Sequence, residues 1–113
     1  GTFRWMAPEC LLSFDEETTS VRATFPSDIF SFAMIIYEIY SGHVPFYKIN
    51  NMMAIIAITK GQRPGREFEI PDDLWELTNL CWKSNPYDRP HIEQIVHLLP
   101  VAVGVRISPF NTE

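Results

Sequence analysis

Apolar residues along this chain fall into clusters separated by short polar stretches, and their spacing points to helices. The longest cluster, residues 29–40 (IFSFAMIIYEIY), is apolar nearly all round. Its β-branched and aromatic content would suit a strand, but strands usually stop at about 4–8 residues and this run ends only at Ser41-Gly42. Pro26-Ser27-Asp28 precedes it with a capping hydroxyl and a first-turn acid, so a helix buried on all sides is expected. After a turn at His43-Val44-Pro45, a helix over 49–60 places Ile49, Met52, Met53 and Ile56 on one face and stops at Gly61. Residues 62–70, with Pro64 and Gly65, read as a loop.

Two more helices follow. One starts at Asp72 and Asp73, carries Leu74, Leu77, Thr78 and Cys81 as a stripe, and is broken by Asn85-Pro86. The other opens at Pro90 with Ile92, Ile95, Val96 and Leu99 on its buried face. Near the start, Pro8 suits a first helical position, giving one or two turns over 8–14, and the acidic, Thr-rich residues 15–24 read as a solvated connector. No repeat occurs, and only the apolar tail 101–107 carries a weak strand pattern. The expected fold class is mainly α.

Composition narrows the setting. At 113 residues, 46% of them hydrophobic, the chain can build one core, so one domain or part of one is expected. A net charge of −5 runs against the positive footprint that nucleic acid requires. The most apolar run is far shorter than the ~20 residues of a membrane span. Cys10 and Cys81 lie far apart inside apolar runs and read as small core residues. Together with the lack of an Asn-x-Ser/Thr acceptor, they favour a reducing, cytoplasmic or otherwise intracellular compartment. The N-terminus has no signal-peptide pattern and begins at Gly, so the chain reads as a piece of something longer, whose missing part could carry a membrane anchor. His43, His91 and His97 do not form a metal-binding spacing.

Four motifs give these helices an identity. Gly1-Thr2-Phe3-Arg4-Trp5-Met6-Ala7-Pro8-Glu9 ends in Ala-Pro-Glu, which alone is a common tripeptide. Ser27-Asp28-Ile29-Phe30-Ser31-Phe32-Ala33 leads to Tyr37-Glu38, then comes Gly42-x-x-Pro45-Phe46, and last Cys81-Trp82 with Pro86-Tyr87-Asp88-Arg89-Pro90. In this order they resemble the end of the activation segment, the central helix and the closing helices of a protein-kinase catalytic domain, of the tyrosine-kinase-like group. The resemblance implies the helical C-terminal lobe of the kinase fold as an incomplete domain over 1–99, followed by an unassigned tail over 100–113. The stretch between Glu9 and Ser27 is longer than usual for the family, and Phe30 and Ala33 stand where Trp or Tyr and Gly are common.

The same resemblance implies roles for particular residues. Glu9 would pair with Arg89, tying the substrate-binding loop to the helical base; the alternative is two surface charges. Asp28 would accept hydrogen bonds from the catalytic loop, or else be an ordinary first-turn acid. Thr2 and Trp5 would belong to the substrate pocket, with Gly-Thr resembling serine/threonine kinases; a loop threonine without a role is the alternative for Thr2. Met52 and Met53 fit core packing better than a docking surface. The parent would use ATP and Mg to phosphorylate protein Ser/Thr hydroxyls in signalling. This chain lacks the catalytic and nucleotide-binding motifs, so it would bind neither ATP nor Mg and would depend on the missing N-terminal lobe and catalytic loop. A pseudokinase and a non-catalytic helical scaffold or adaptor are the alternative readings.

Overall fold

Why residues 29–40 form a helix is settled at their N-terminal edge. In the computed structural model, which describes residues 2–12 and 23–104, a helix runs over Phe25–Ser41 (α2) and is capped by Thr24. The Thr24 hydroxyl accepts from the Ser27 N–H at 3.1 Å, and Ser27 Oγ accepts from the Thr24 N–H at 2.8 Å. That reciprocal box satisfies two donors that a helix start leaves open. The cap is therefore Thr24, and Ser27, expected as the capping hydroxyl, answers it from the third helical position. At the far end Gly42, at φ 76°, closes the helix in the left-handed conformation that glycine adopts without strain.

Four shorter helices accompany α2: α1 at Pro8–Leu12, α3 at Asn51–Thr59, α4 at Asp72–Cys81 and α5 at Ile92–Ala102. Single 3-10 turns occupy Phe3–Trp5 and Pro86–Asp88, and no strand occurs among the described residues. The chain is mainly α, as its sequence pattern predicts. α2 packs on α4 and α4 on α5, while α1 and the Phe3–Trp5 turn pack on α3. The centre holds Phe30, Met34, Ile58, Leu74, Thr78 and Cys81, all fully buried. The α4 stripe Leu74, Leu77, Thr78 and Cys81 is buried as expected. Thr78 satisfies its hydroxyl on the Leu74 carbonyl at 2.7 Å, and burial pushes the Cys81 thiol up to about 12. Tyr37, Phe68, Trp75 and Trp82 form a chain of edge-to-face ring contacts 5.3 to 6.0 Å apart.

Three expectations need correction. α2 is not buried on all sides, because Ile35 and Ile39 are 44% and 71% exposed. α3 is turned over: Ala54, Ala57 and Ile58 face inward, whereas Met52, Met53 and Ile56 face solvent. Two alanines let the backbone approach α1 and the Phe3–Trp5 turn more closely than methionines would. On α5 the inward residues are Ile95 and Ala102, with Leu99 half-buried, while Ile92 and Val96 are exposed. That helix also continues through Pro100 to Ala102, into the stretch left unassigned. Most of the 15–24 connector, and the tail beyond residue 104, lie outside the described residues. No helix among the described residues is long and apolar enough to cross a membrane.

Candidate functional site

The N-terminal strip, residues 2–9, holds most of the residues singled out in the sequence, and side chains fasten it at three places. At its front, Arg4 donates to the carbonyls of Pro45, Phe46 and Ile49 and to Asn51 Oδ1, at 2.6 to 3.0 Å. In its middle, the Trp5 indole N–H donates to Glu38 Oε1 at 2.9 Å, and Ser31 Oγ donates to the Trp5 carbonyl at 2.8 Å. At its rear, Arg89 Nη1 and Nη2 donate to the two oxygens of Glu9 at 2.7 and 2.8 Å. The structure thus joins Glu9 and Arg89, 80 positions apart, as a fork-to-fork pair.

Arg89 has no exposed side chain, and it shares its remaining donors among the carbonyls of Pro26, Lys83 and Ser84. One guanidinium therefore gathers α1, the start of α2 and the turn after α4. Burial alone would raise the Glu9 carboxyl. The hydrogen bonds from Arg89 and from its own backbone N–H, with the charges of Arg89 and Arg63, outweigh that, so it lies below its ordinary 4.5.

Arg63 is a partner that the sequence reading missed. It donates to the carbonyls of Trp82, Ile58 and Gln62 and to Ser84 Oγ. Its guanidinium and that of Arg89 lie 4.9 and 5.1 Å from the centre of the Phe30 ring. Burial first, then the charge of Arg89, lowers Arg63 to about 10, against the pull of Glu9. Its one signal was an arginine beside Pro64 and Gly65 in a loop between two apolar helices. Arg4, Ser31 and Glu38 were within quoted motifs, but nothing in their spacing indicated a contact.

Of the other predicted site residues, Thr2 and Asp28 stand apart from these side-chain contacts, whereas Trp5 is one of the anchors. Thr2 is exposed at the head of the 3-10 turn, and its side chain does not cap it. Asp28 is exposed in the first turn of α2 and borders an open groove of ≈ 620 Å³ with Phe25, Tyr87, His91 and Ile92. Trp5 is half-buried and packs against the core. Among the described residues, no three His, Cys, Asp or Glu side chains converge as a metal site.

Comparison with known proteins gives a consistent picture. The family model for protein tyrosine and serine/threonine kinase matches residues 1–99. The chain is 33% identical over 100 residues, 88% of its length, to serine/threonine-protein kinase STY17 of Arabidopsis thaliana, of which it spans 16%. It is 35% identical over 100 residues, again 88% of its length, to mitogen-activated protein kinase kinase kinase 7 of Drosophila melanogaster, spanning 14%. With the proto-oncogene tyrosine-protein kinase ROS of Mus musculus the identity is 36% over 106 residues, 93% of this chain and 4% of that protein. The chain therefore covers only a small part of each of these relatives.

Proposed function

This chain belongs to the protein tyrosine and serine/threonine kinase family, and from that premise we propose that it forms the substrate-side wall and helical base of an ATP-dependent protein kinase. The observation that carries the reading is the Glu9–Arg89 fork, which fastens the strip bearing Thr2 and Trp5 to the helices beneath it. A loop that must hold a protein substrate against a reacting phosphate needs a rigid mount, because catalysis of phosphoryl transfer is chiefly positioning and electrostatics. Thr2, exposed at the front of the strip, would hydrogen-bond toward the catalytic aspartate and a nearby lysine, and the resemblance of Gly1-Thr2 to serine/threonine kinases favours serine and threonine over tyrosine. Asp28, exposed at the start of α2, would receive backbone N–H groups of the catalytic loop. Residues 1–99 would be the kinase part of the chain, and the parent would act in intracellular signalling.

ATP and Mg would serve the parent, held by motifs that this sequence does not contain. This chain's own contribution is to bind and orient the protein substrate.

The test has two parts. Translation upstream of Gly1 in the parent's gene is expected to give an H-R-D-x-K-x-x-N-like loop and then a D-F-G-like stretch. The full-length parent is expected to transfer ³²P from γ-labelled ATP to Ser/Thr peptides and not to Tyr peptides. A loop lacking its Asp, with no transfer, would mean a pseudokinase. A natural start codon just before Gly1, with no kinase-like sequence upstream, would leave a helical adaptor.

A further inference from the structure

Phe46 sits at φ 58°, the one residue other than glycine with a positive φ among those described. A bulky side chain crowds its own backbone there, so such residues are rare unless their surroundings hold them. The Phe46 ring packs against the core, and its carbonyl accepts a 2.6 Å hydrogen bond from Arg4 Nη1. The same Nη1 takes the Pro45 carbonyl at 2.9 Å, Nη2 takes the Ile49 carbonyl at 2.7 Å, and Nε takes Asn51 Oδ1 at 3.0 Å. Three carbonyls of one turn thus converge on one planar guanidinium, a pattern that a lysine ammonium on a single point cannot reproduce.

Arg4 belongs to the 3-10 turn that directly follows Thr2. Its hydrogen bonds therefore fix two things at once, the left-handed turn at Phe46 and the front of the strip. The middle and rear of the strip have separate anchors, Trp5 on Glu38, Ser31 on Trp5, and Glu9 on Arg89. Loss of Arg4 should leave the fold standing and free only the front.

We propose that Arg4 is a positioning residue for the protein substrate, clamping the Thr2 end of the strip onto the Pro45–Asn51 segment and holding Phe46 in its left-handed conformation. The proposal rests on the kinase reading and concerns which residue sets substrate affinity. Arg4 does not touch the reacting atoms; it acts through the strip.

Steady-state kinetics of the full-length parent tests this with Arg4→Gln, Arg4→Lys, Phe46→Gly and the Arg4→Gln/Phe46→Gly pair. Arg4→Gln should raise the KM for the peptide about tenfold, as loose positioning does, while the KM for ATP stays within about twofold. Arg4→Lys should restore little. Adding Phe46→Gly should leave the peptide KM as high as in Arg4→Gln, because glycine eases the left-handed turn but does not refasten the front of the strip. A merely structural role would reduce the amount of active enzyme and leave both KM values in place. An unchanged peptide KM in Arg4→Gln, both KM values rising together, or a peptide KM restored by adding Phe46→Gly would overturn the proposal. A wild-type parent without phosphoryl transfer would overturn the kinase reading instead. Thermal melts of the same full-length proteins then decide the clamp: strictly additive Tm shifts overturn it, and a Phe46→Gly change that is milder in the Arg4→Gln background supports it.

Discussion

A buried guanidinium with a half-buried carboxylate is an unequal pair, and removing either member has unequal effects. Arg89 keeps bonds to three carbonyls when Glu9 is lost, but its charge is then uncompensated inside the protein. Glu9→Gln should therefore cost about 3 kcal/mol in the full-length parent, at the lower end for a broken buried pair. The Glu9→Ala/Arg89→Ala double variant should cost clearly less than the sum of the two single changes, read from denaturant melts. The pair also sets an acid limit. Glu9 is held below its ordinary value in the folded state, so its contribution is present above pH 4.5 and is lost as the pH falls through the folded value. Wild-type Tm should drop below about pH 4.5 by more than that of Glu9→Gln. The Glu9–Arg89 pair was expected because both residues stand inside motifs whose resemblance to the kinase family implies that they meet. Arg4 and Arg63 were not, because they bond mainly to backbone carbonyls, and a carbonyl leaves no trace in the residue types.

Helix existence was legible wherever apolar runs were long or striped, and helix orientation only where polar residues marked the outside. α4 alternates acids with its apolar stripe, and its four expected core residues are all buried. In α3 the run NMMAIIAIT is apolar on every face, so size decides the register and small alanines take the tight side. Lys substitutions at Met52 or Ile56 should accordingly change stability by less than about 0.5 kcal/mol, whereas Ile58→Ala should cost about 2–5 kcal/mol. An equal loss at both kinds of position would mean that α3 is turned the way its sequence first suggested. At the start of α2, Thr24→Ala removes one half of the capping box and should cost about 1 kcal/mol, seen as a lower Tm with an unchanged helix content at 25 °C. That cap escaped the sequence reading because Pro26-Ser27 drew the cap three residues late, at Ser27 rather than Thr24.

For the molecule as a whole, the decisive feature is apolar surface that the helices leave open. Ile35 and Ile39 on α2, Ile92, Val96 and Val101 on α5, and Phe25 and Tyr87 beside the ≈ 620 Å³ groove are all at least 44% exposed. Single exposed hydrophobics are ordinary, but here they recur along both α2 and α5. A kinase reading assigns this surface to the rest of the catalytic domain, whereas an adaptor reading assigns it to a separate partner. The 113-residue chain produced alone should therefore sediment as associated species, melt broadly, and give no saturable heat with Mg·ATP in calorimetric titration. The same chain inside its full-length parent should be monodisperse and melt cooperatively. Charged replacements at Ile39 and Val96 separate the causes: they should reduce association of the isolated chain and destabilise the parent, where those side chains would be covered. A monomeric isolated chain with a sharp melt, unaffected by either replacement, would show that nothing is missing from its surface and would move the balance to the adaptor.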